Sequence, residues 1–350
     1  MTESRQYNII VPSVDYNGPV TLLLDLGRRA AELGYKVNIY YLNSYLDTSI
    51  VNFHADVKKI QLSDIKEMQG VVHSICIKPD FVNFVIRLCN KNVFCITTIP
   101  SFLYEDMKYD YSKWLAWITW SVWKLFAGIL DRRVVLSKTM QKYYAKVAPR
   151  MSCDVVYHSR RQPALVCLNT NNEDLIKEQI GSYEYNLVFV AGLRPRKNIL
   201  RLIQEVYKYP DISLTIFGDG TQRLEVENAL KRDINQIIYL GHDPCAHSYL
   251  NFFDALILPS FAEGLPGVVL EAIDQRCLCL LSDLDVHREL CDMGVGITFN
   301  HNTFSNFYKK VIEIKSLGGD KEMVKNLGVI KESHFDHDLN FTVYEQLFRG

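Results

Sequence analysis

Two short stretches hold the residue types best suited to chemistry. FAEGLPGVVLEA (261–272) sets Glu263 and Glu271 eight positions apart, with Gly264, Leu265, Pro266 and Gly267 between them. LRPRKN (193–198) gathers Arg194, Arg196 and Lys197 directly behind an apolar run. A carboxylate can accept two hydrogen bonds from a vicinal diol, as acidic residues do on the ribose of bound nucleotides. Cations beside the free N–H groups of a helix start suit a phosphate or pyrophosphate. Pro266 fits the first turn of a helix, and Gly264 and Gly267 leave the backbone open to a ligand. Glu271 is therefore expected one turn inside that helix and Glu263 on the loop before it. Together the two stretches could take a sugar nucleotide: ribose on Glu271, phosphates on the helix start and the cations, sugar hydroxyls on Glu263. The plainer alternatives are a solvated basic turn and a helix with favourable acids near its start.

Positioning such groups needs strands that end beside one another. Apolar runs alternate with helical periodicity along the chain, which predicts parallel sheets covered by helices, an α/β fold. In the first half the strands read as 7–13, 35–42, 70–77, 92–99, 132–137 and 153–158; VTLLLDLGRRAAELG between the first two reads as a helix closing at Gly34. A second series reads as 186–193, 213–220, 236–242, 254–260, 277–282 and 294–299. The polar stretch 167–185 reads as the linker region. Two full sets of strands predict two Rossmann-like domains, 1–162 and 163–337, with a tail from about 338 to 350 able to pack back on the first. Such sheets bind ligands at the carboxyl ends of their strands, so both charged stretches fall where a site belongs.

Composition narrows the functions. The chain has 350 residues, 48% hydrophobic and 23% charged, with a net charge of −1, so nothing draws it to nucleic acid in general. Its nine cysteines are scattered without a CxxC pair, which predicts neither a disulfide framework nor a zinc site and fits a reducing cytoplasm. The N-terminal MTESRQYNIIVPS does not read as a signal sequence. No GxGxxG follows a strand; Gly218-Asp219-Gly220 stops short, which argues against a nicotinamide enzyme. The DxD strings Asp283-Leu284-Asp285 and Asp336-His337-Asp338 read as helix-start and polar-tail acids, and no metal is expected. Trp114, Trp117, Trp120 and Trp123 recur every three residues in an apolar stretch, 114–130, too short to span a bilayer. With Lys108, Lys113, Lys124, Arg132 and Arg133 nearby, the run suits either a membrane-surface helix or an aromatic internal one.

The succession VAGLRPRKN, LTIFGDG, IIYLGH, ALILPSFAEGLPGVVLEA and LLSD resembles the GT-B-fold retaining glycosyltransferases of family 4, specifically over roughly 186–290. PSVDYNGPVTLLLDLGRRAAELGYKVNIYY is compatible with their first loop, helix and second strand. The resemblance implies two Rossmann-like domains facing across a cleft, with an acceptor-binding N-terminal domain and a donor-binding C-terminal one. It implies a retaining hexosyl transfer from a nucleotide-diphosphate sugar to a saccharide or lipid-linked acceptor, in surface polysaccharide or lipopolysaccharide synthesis, without a metal. Asn17 and Gly18 would approach the donor phosphates, Lys197 would neutralise the diphosphate, and Glu263 would contact the sugar and Glu271 the ribose. Two departures stand out. The family's arginine after the strand glycine falls near Gly192 or Leu193 here, so Arg194 or Arg196 must substitute. The family's histidine after the fourth N-terminal strand is replaced by TTIPSFLYED, which offers Thr98, Ser101, Glu105 and Asp106 on the acceptor side. Two other functions keep the same site: a GT-B-fold sugar-nucleotide epimerase, recognised by products from donor alone, and a non-catalytic glycosyltransferase-like subunit.

Overall fold

The structure is a computed structural model that describes residues 5–15, 18–43, 46–159, 169–230 and 235–349; Asn17 lies outside them. Two compact units emerge from the contacts. Unit 1 comprises Met1–Tyr104, Lys113–Arg161 and Phe335–Gly350, and unit 2 comprises Glu105–Ser112 and Gln162–His334.

Unit 1 is built on a seven-stranded parallel sheet: β1 (Gln6–Val11), β2 (Lys36–Tyr41), β3 (Asp56–Lys59), β4 (Gly70–Ile75), β5 (Val93–Ile99), β6 (Arg132–Val135) and β7 (Asp154–Val155), in the order β3-β2-β1-β4-β5-β6-β7. The central strands are buried on both faces, as parallel strands covered by helices must be. The edge strand β3, DVKK, is mostly exposed and has no apolar pattern, which is why it is silent in the sequence.

Polar side chains knit this core. Tyr7 Oη meets His73 Nδ1 at 2.6 Å, His73 Nε2 meets Thr98 Oγ1 at 2.7 Å, and Thr98 Oγ1 meets Tyr344 Oη at 3.0 Å. Burial pushes His73 down to about 3, so its neutral ring relays between a donor and an acceptor. The chain of bonds ties the C-terminal helix His337–Arg349 to β1, β4 and β5. Thr98, expected on the acceptor side, is fully buried with its hydroxyl engaged on both sides.

The four tryptophans divide. Steps of three residues rotate about 60° on a helix, so Trp114 and Trp123 come out on opposite sides of Lys113–Ala127. Trp120 and Trp123 are buried and stack at 5.5 Å, and Trp123 Nε1 donates to Asp80 at 2.8 Å. Asp80 also accepts from Ser74 and Thr97; burial outweighs these bonds and pushes its carboxyl up to about 6. Only Trp114 and Trp117, 72% and 61% exposed, remain for an outside partner.

Unit 2 carries a six-stranded parallel sheet of β8 (Tyr185–Val190), β9 (Ile212–Phe217), β10 (Ile237–Gly241), β11 (Ala255–Leu258), β12 (Cys279–Ser282) and β13 (Gly296–Phe299), in the order β10-β9-β8-β11-β12-β13. Most of the expected linker is a helix, Thr170–Ser182, capped by Asn169 and burying Ile176 and Gln179. Gln179 explains the helix: its amide donates to Asn235 and Gln236 carbonyls at 3.0 Å each and its carbonyl accepts from Thr215 at 2.6 Å, tying a polar-looking segment to the sheet. Cys245 is disulfide-bonded, while Cys76, Cys89, Cys95, Cys153, Cys277, Cys279 and Cys291 are free.

Candidate active site

In unit 2 the strand order reverses between β8 and β11, and the crevice at such a point is where an α/β sheet binds ligands. The loops leaving these two strands are the two charged stretches of the sequence.

The loop after β8 is shaped by its neighbour after β9. Leu193 N donates to Asp219 O at 2.9 Å, and Ala191 N to Phe217 O at 3.2 Å. This approach needs Gly218, at φ 144°, where a Cβ would lie 1.9 Å from the Ala191 carbonyl oxygen. The chain then makes a tight turn, Pro195–Lys197, and Asn198 takes a left-handed conformation at φ 57°. Asparagine tolerates that region. Its amide donates to the carbonyls of Pro259 and His301 at 3.2 Å each, pinning the cationic turn against the ends of β11 and β13. Phe261 N donates to Arg196 O at 2.8 Å, so the two strand-end loops are stitched together directly.

At their junction lies a buried ion cluster. Glu263, 5% exposed, binds the Lys197 ammonium through Oε1, which also accepts from Ser260 Oγ at 2.6 Å. Its Oε2 is 3.5 Å from Arg196 Nη1, which donates to Ala262 O at 3.1 Å. Burial would raise the Glu263 carboxyl, but Lys197 and Arg196 outweigh it and hold it down to about 2. Lys197 moves down as well, because its burial and the neighbouring Arg196 charge exceed the pull of Glu263 and Asp106. Arg196 moves up: burial opposes its charge, yet Glu263, Asp106 and Asp110 together prevail. His287 sits behind the cluster, fully buried, bonded to Ser282 Oγ at 2.8 Å and pushed down to about 4 by burial, hence neutral.

Gly264, Leu265 and Pro266 are buried, and Pro266 precedes the helix Gly267–Asp274. Glu271 lies one turn inside it, buried, as expected from the spacing. Thus Arg196, Lys197 and Glu263 come together in unit 2, with Glu263 on the loop that leads into this helix. Gly192 and Arg194 are exposed on the loop beside them. Gly18 opens the helix Gly18–Glu32 in unit 1 and is exposed; Ser101 and Glu105 are half-buried, Glu105 paired with Lys108 at 3.0 Å. Asp283 is bonded to His301 and Asp285 to Arg288, and among the described residues no group of three or more His, Cys, Asp or Glu is arranged to hold a metal. Sequence reasoning named Asp106 only on the acceptor side and missed Asp110, since no local pattern announces their link to Arg196, and it missed His287, which reads as an ordinary helix residue.

Residues 171–328 match the family described as Glycosyl transferases group 1. This segment is similar to that family, and the chain is a glycosyltransferase. The whole glycosyltransferase is 25% identical to the O-antigen biosynthesis glycosyltransferase WclY of Escherichia coli, over 83% of either chain. It is 26% identical to the Escherichia coli UDP-Gal:alpha-D-GlcNAc-diphosphoundecaprenol alpha-1,3-galactosyltransferase over 46% of this chain and 47% of that one. Its fold matches Anabaena HepE, solved with UDP and glucose, at a TM-score of 0.75 and 13% identity over 98% of both chains. The fold of this glycosyltransferase is GT-B, with two Rossmann-like domains.

Proposed function

We propose that this glycosyltransferase moves a hexosyl group from a nucleotide-diphosphate sugar to a saccharide or lipid-linked saccharide, with retention of configuration, in the synthesis of a surface polysaccharide such as an O-antigen. The observation that carries the reading is the Arg196–Lys197–Glu263 cluster, built on a buried carboxylate, at the point where the sheet order reverses. Breaking the bond between the sugar C1 and phosphate oxygen develops positive charge on the sugar and negative charge on the departing diphosphate. Lys197, Arg196 and the helix start at Gly267 supply fixed positive potential for that oxygen, and groups that need not reorganise stabilise a transition state most effectively. Glu263 is committed to Lys197 and Ser260, which makes it a sugar-positioning and electrostatic group rather than a nucleophile. Glu271 is assigned the ribose diol. The O-antigen and diphosphoundecaprenol relatives support the polysaccharide and lipid-linked acceptors. Panels of nucleoside diphosphates and their sugars test the reading: one nucleotide should raise Tm, its sugar should be transferred, and Glu271→Ala should abolish the stabilisation. Stabilisation that survives in the variant removes Glu271 from the site.

We also assign a peripheral contact with the inner face of the plasma membrane to the outer stripe of Lys113–Ala127. Trp114, Trp117, Val122 and Leu125 are exposed there, and no acidic residue interrupts the chain from Ser112 to Leu130. No helix among the described residues is long and apolar enough to cross a membrane. Aromatic side chains beside lysines favour an anionic lipid surface. Flotation with anionic vesicles should recover the wild-type chain and lose most of a Trp114→Ala/Trp117→Ala variant; equal recovery removes this assignment.

A further inference from the structure

The segment Glu105–Ser112 groups with unit 2, although the residues on both sides of it, up to Tyr104 and from Lys113, group with unit 1. Its attachment is specific. The Tyr109 ring stacks on Phe261 at 5.2 Å and 11°, next to the Glu263 loop. Asp110 Oδ2 accepts from Arg196 Nε at 3.2 Å and lies 3.8 Å from Arg194 Nη1. Asp106 Oδ1 is 3.9 Å from Arg196 Nη1. The two aspartates are only 11% and 18% exposed, so solvent screens them little.

These cations are the ones to which the proposed function assigns the donor diphosphate. Arg194, Arg196 and Lys197 already face the carboxylates of Asp106, Asp110 and Glu263, which a dianion arriving at the same cations must meet. Glu263 belongs to the sugar-facing loop and is locked by Lys197 and Ser260. Asp106 and Asp110 arrive on a separate segment, stacked through Tyr109 on Phe261 and ion-paired to Arg196, so they meet the guanidinium from outside the Glu263 loop.

We propose that Asp106 and Asp110 compete with the donor diphosphate for Arg196 and set the affinity of the nucleotide site. In the free enzyme they satisfy the guanidinium and keep it folded against the Glu263 loop. A diphosphate takes over Arg196 and displaces them, and its departure lets them return. The competition penalises any dianion that cannot also use the rest of the site, which sharpens selection of a complete donor over free phosphate.

The inference rests on the donor-site reading, and titration calorimetry on the full chain separates the two. UDP, GDP and ADP are titrated into wild type, Asp110→Asn, Asp106→Asn/Asp110→Asn and Tyr109→Ala, with the corresponding nucleosides as phosphate-free controls. The double variant should bind the preferred diphosphate about tenfold more tightly or better, because like charges against the ligand are removed. Tyr109→Ala should shift affinity in the same direction by loosening the segment, and nucleoside affinity should stay constant. Unchanged or weaker diphosphate binding in the folded variants overturns the proposal and makes the aspartates positioning residues for Arg196. Absence of diphosphate binding in wild type and every variant overturns the donor-site reading itself. Binding that appears only in the variants supports both.

Discussion

Replacing Lys197 by alanine is expected to lower kcat/KM for sugar transfer by about two to three orders of magnitude, with most of the loss in kcat. The ammonium is bonded to the buried Glu263 carboxylate and its side chain is only 12% exposed, and the proposed reaction develops charge on the leaving diphosphate beside it. A preorganised donor of this kind contributes roughly 3–4 kcal/mol to the barrier when the charge it meets exists mainly in the transition state. The variant should still fold, since Arg196 and Ser260 continue to hold the Glu263 carboxylate. Lys197→Arg should recover only part of the rate, because a planar fork does not reproduce a compact point charge in a closed site. Steady-state kinetics with donor varied at saturating acceptor measure the split. A rise in KM with kcat unchanged would move Lys197 from the chemistry to ground-state binding.

The second large effect is structural. Gly218→Ala is expected to destabilise unit 2 by about 3 kcal/mol, because its Cβ would overlap the Ala191 carbonyl and its φ of 144° is foreign to alanine. Both contacts are with backbone, so no side-chain rotation relieves them. The displaced loop is the one that carries Arg194 to Lys197, so activity should fall beyond what the stability loss explains. Gly181→Ala is the contrast: its Cβ meets nothing within 4 Å near the end of the helix Thr170–Ser182, and the change should be neutral or stabilising by up to about 1 kcal/mol. Urea unfolding of both variants checks the pair, and similar midpoints would show that the β8 and β9 loops can part at little cost.

The same glycine shows what a local pattern reveals and what it hides. GDG was legible as a failed dinucleotide fingerprint, yet its reason is the approach of two strand-end loops, visible only once β8 and β9 are paired. The polar segment 167–185 reads as a linker for a related reason: Gln179 is hydrophilic by type, and its burial depends on the carbonyls at the end of another strand. The tryptophan run left two readings open because spacing gives the angle between side chains but not which angle faces the sheet. Asp80, from a different helix, decides that Trp123 goes inward.

By itself the sequence determined the strands, since a run buried on both faces must be apolar wherever it packs, and twelve of the thirteen strands among the described residues carry that signal. It also determined the order of the charged loops and the place of Glu271 one turn into its helix, because turn chemistry and helical pitch act over a few residues. Only the tertiary structure decided the partners. Arg196 and Lys197 meet Glu263 across more than sixty residues of chain, and Arg196 meets Asp110 across more than eighty, through strand pairing that no neighbouring residue encodes. Ion pairs act through space over a few ångströms, so their membership is settled by the fold that brings charges together, not by the stretch that supplies them.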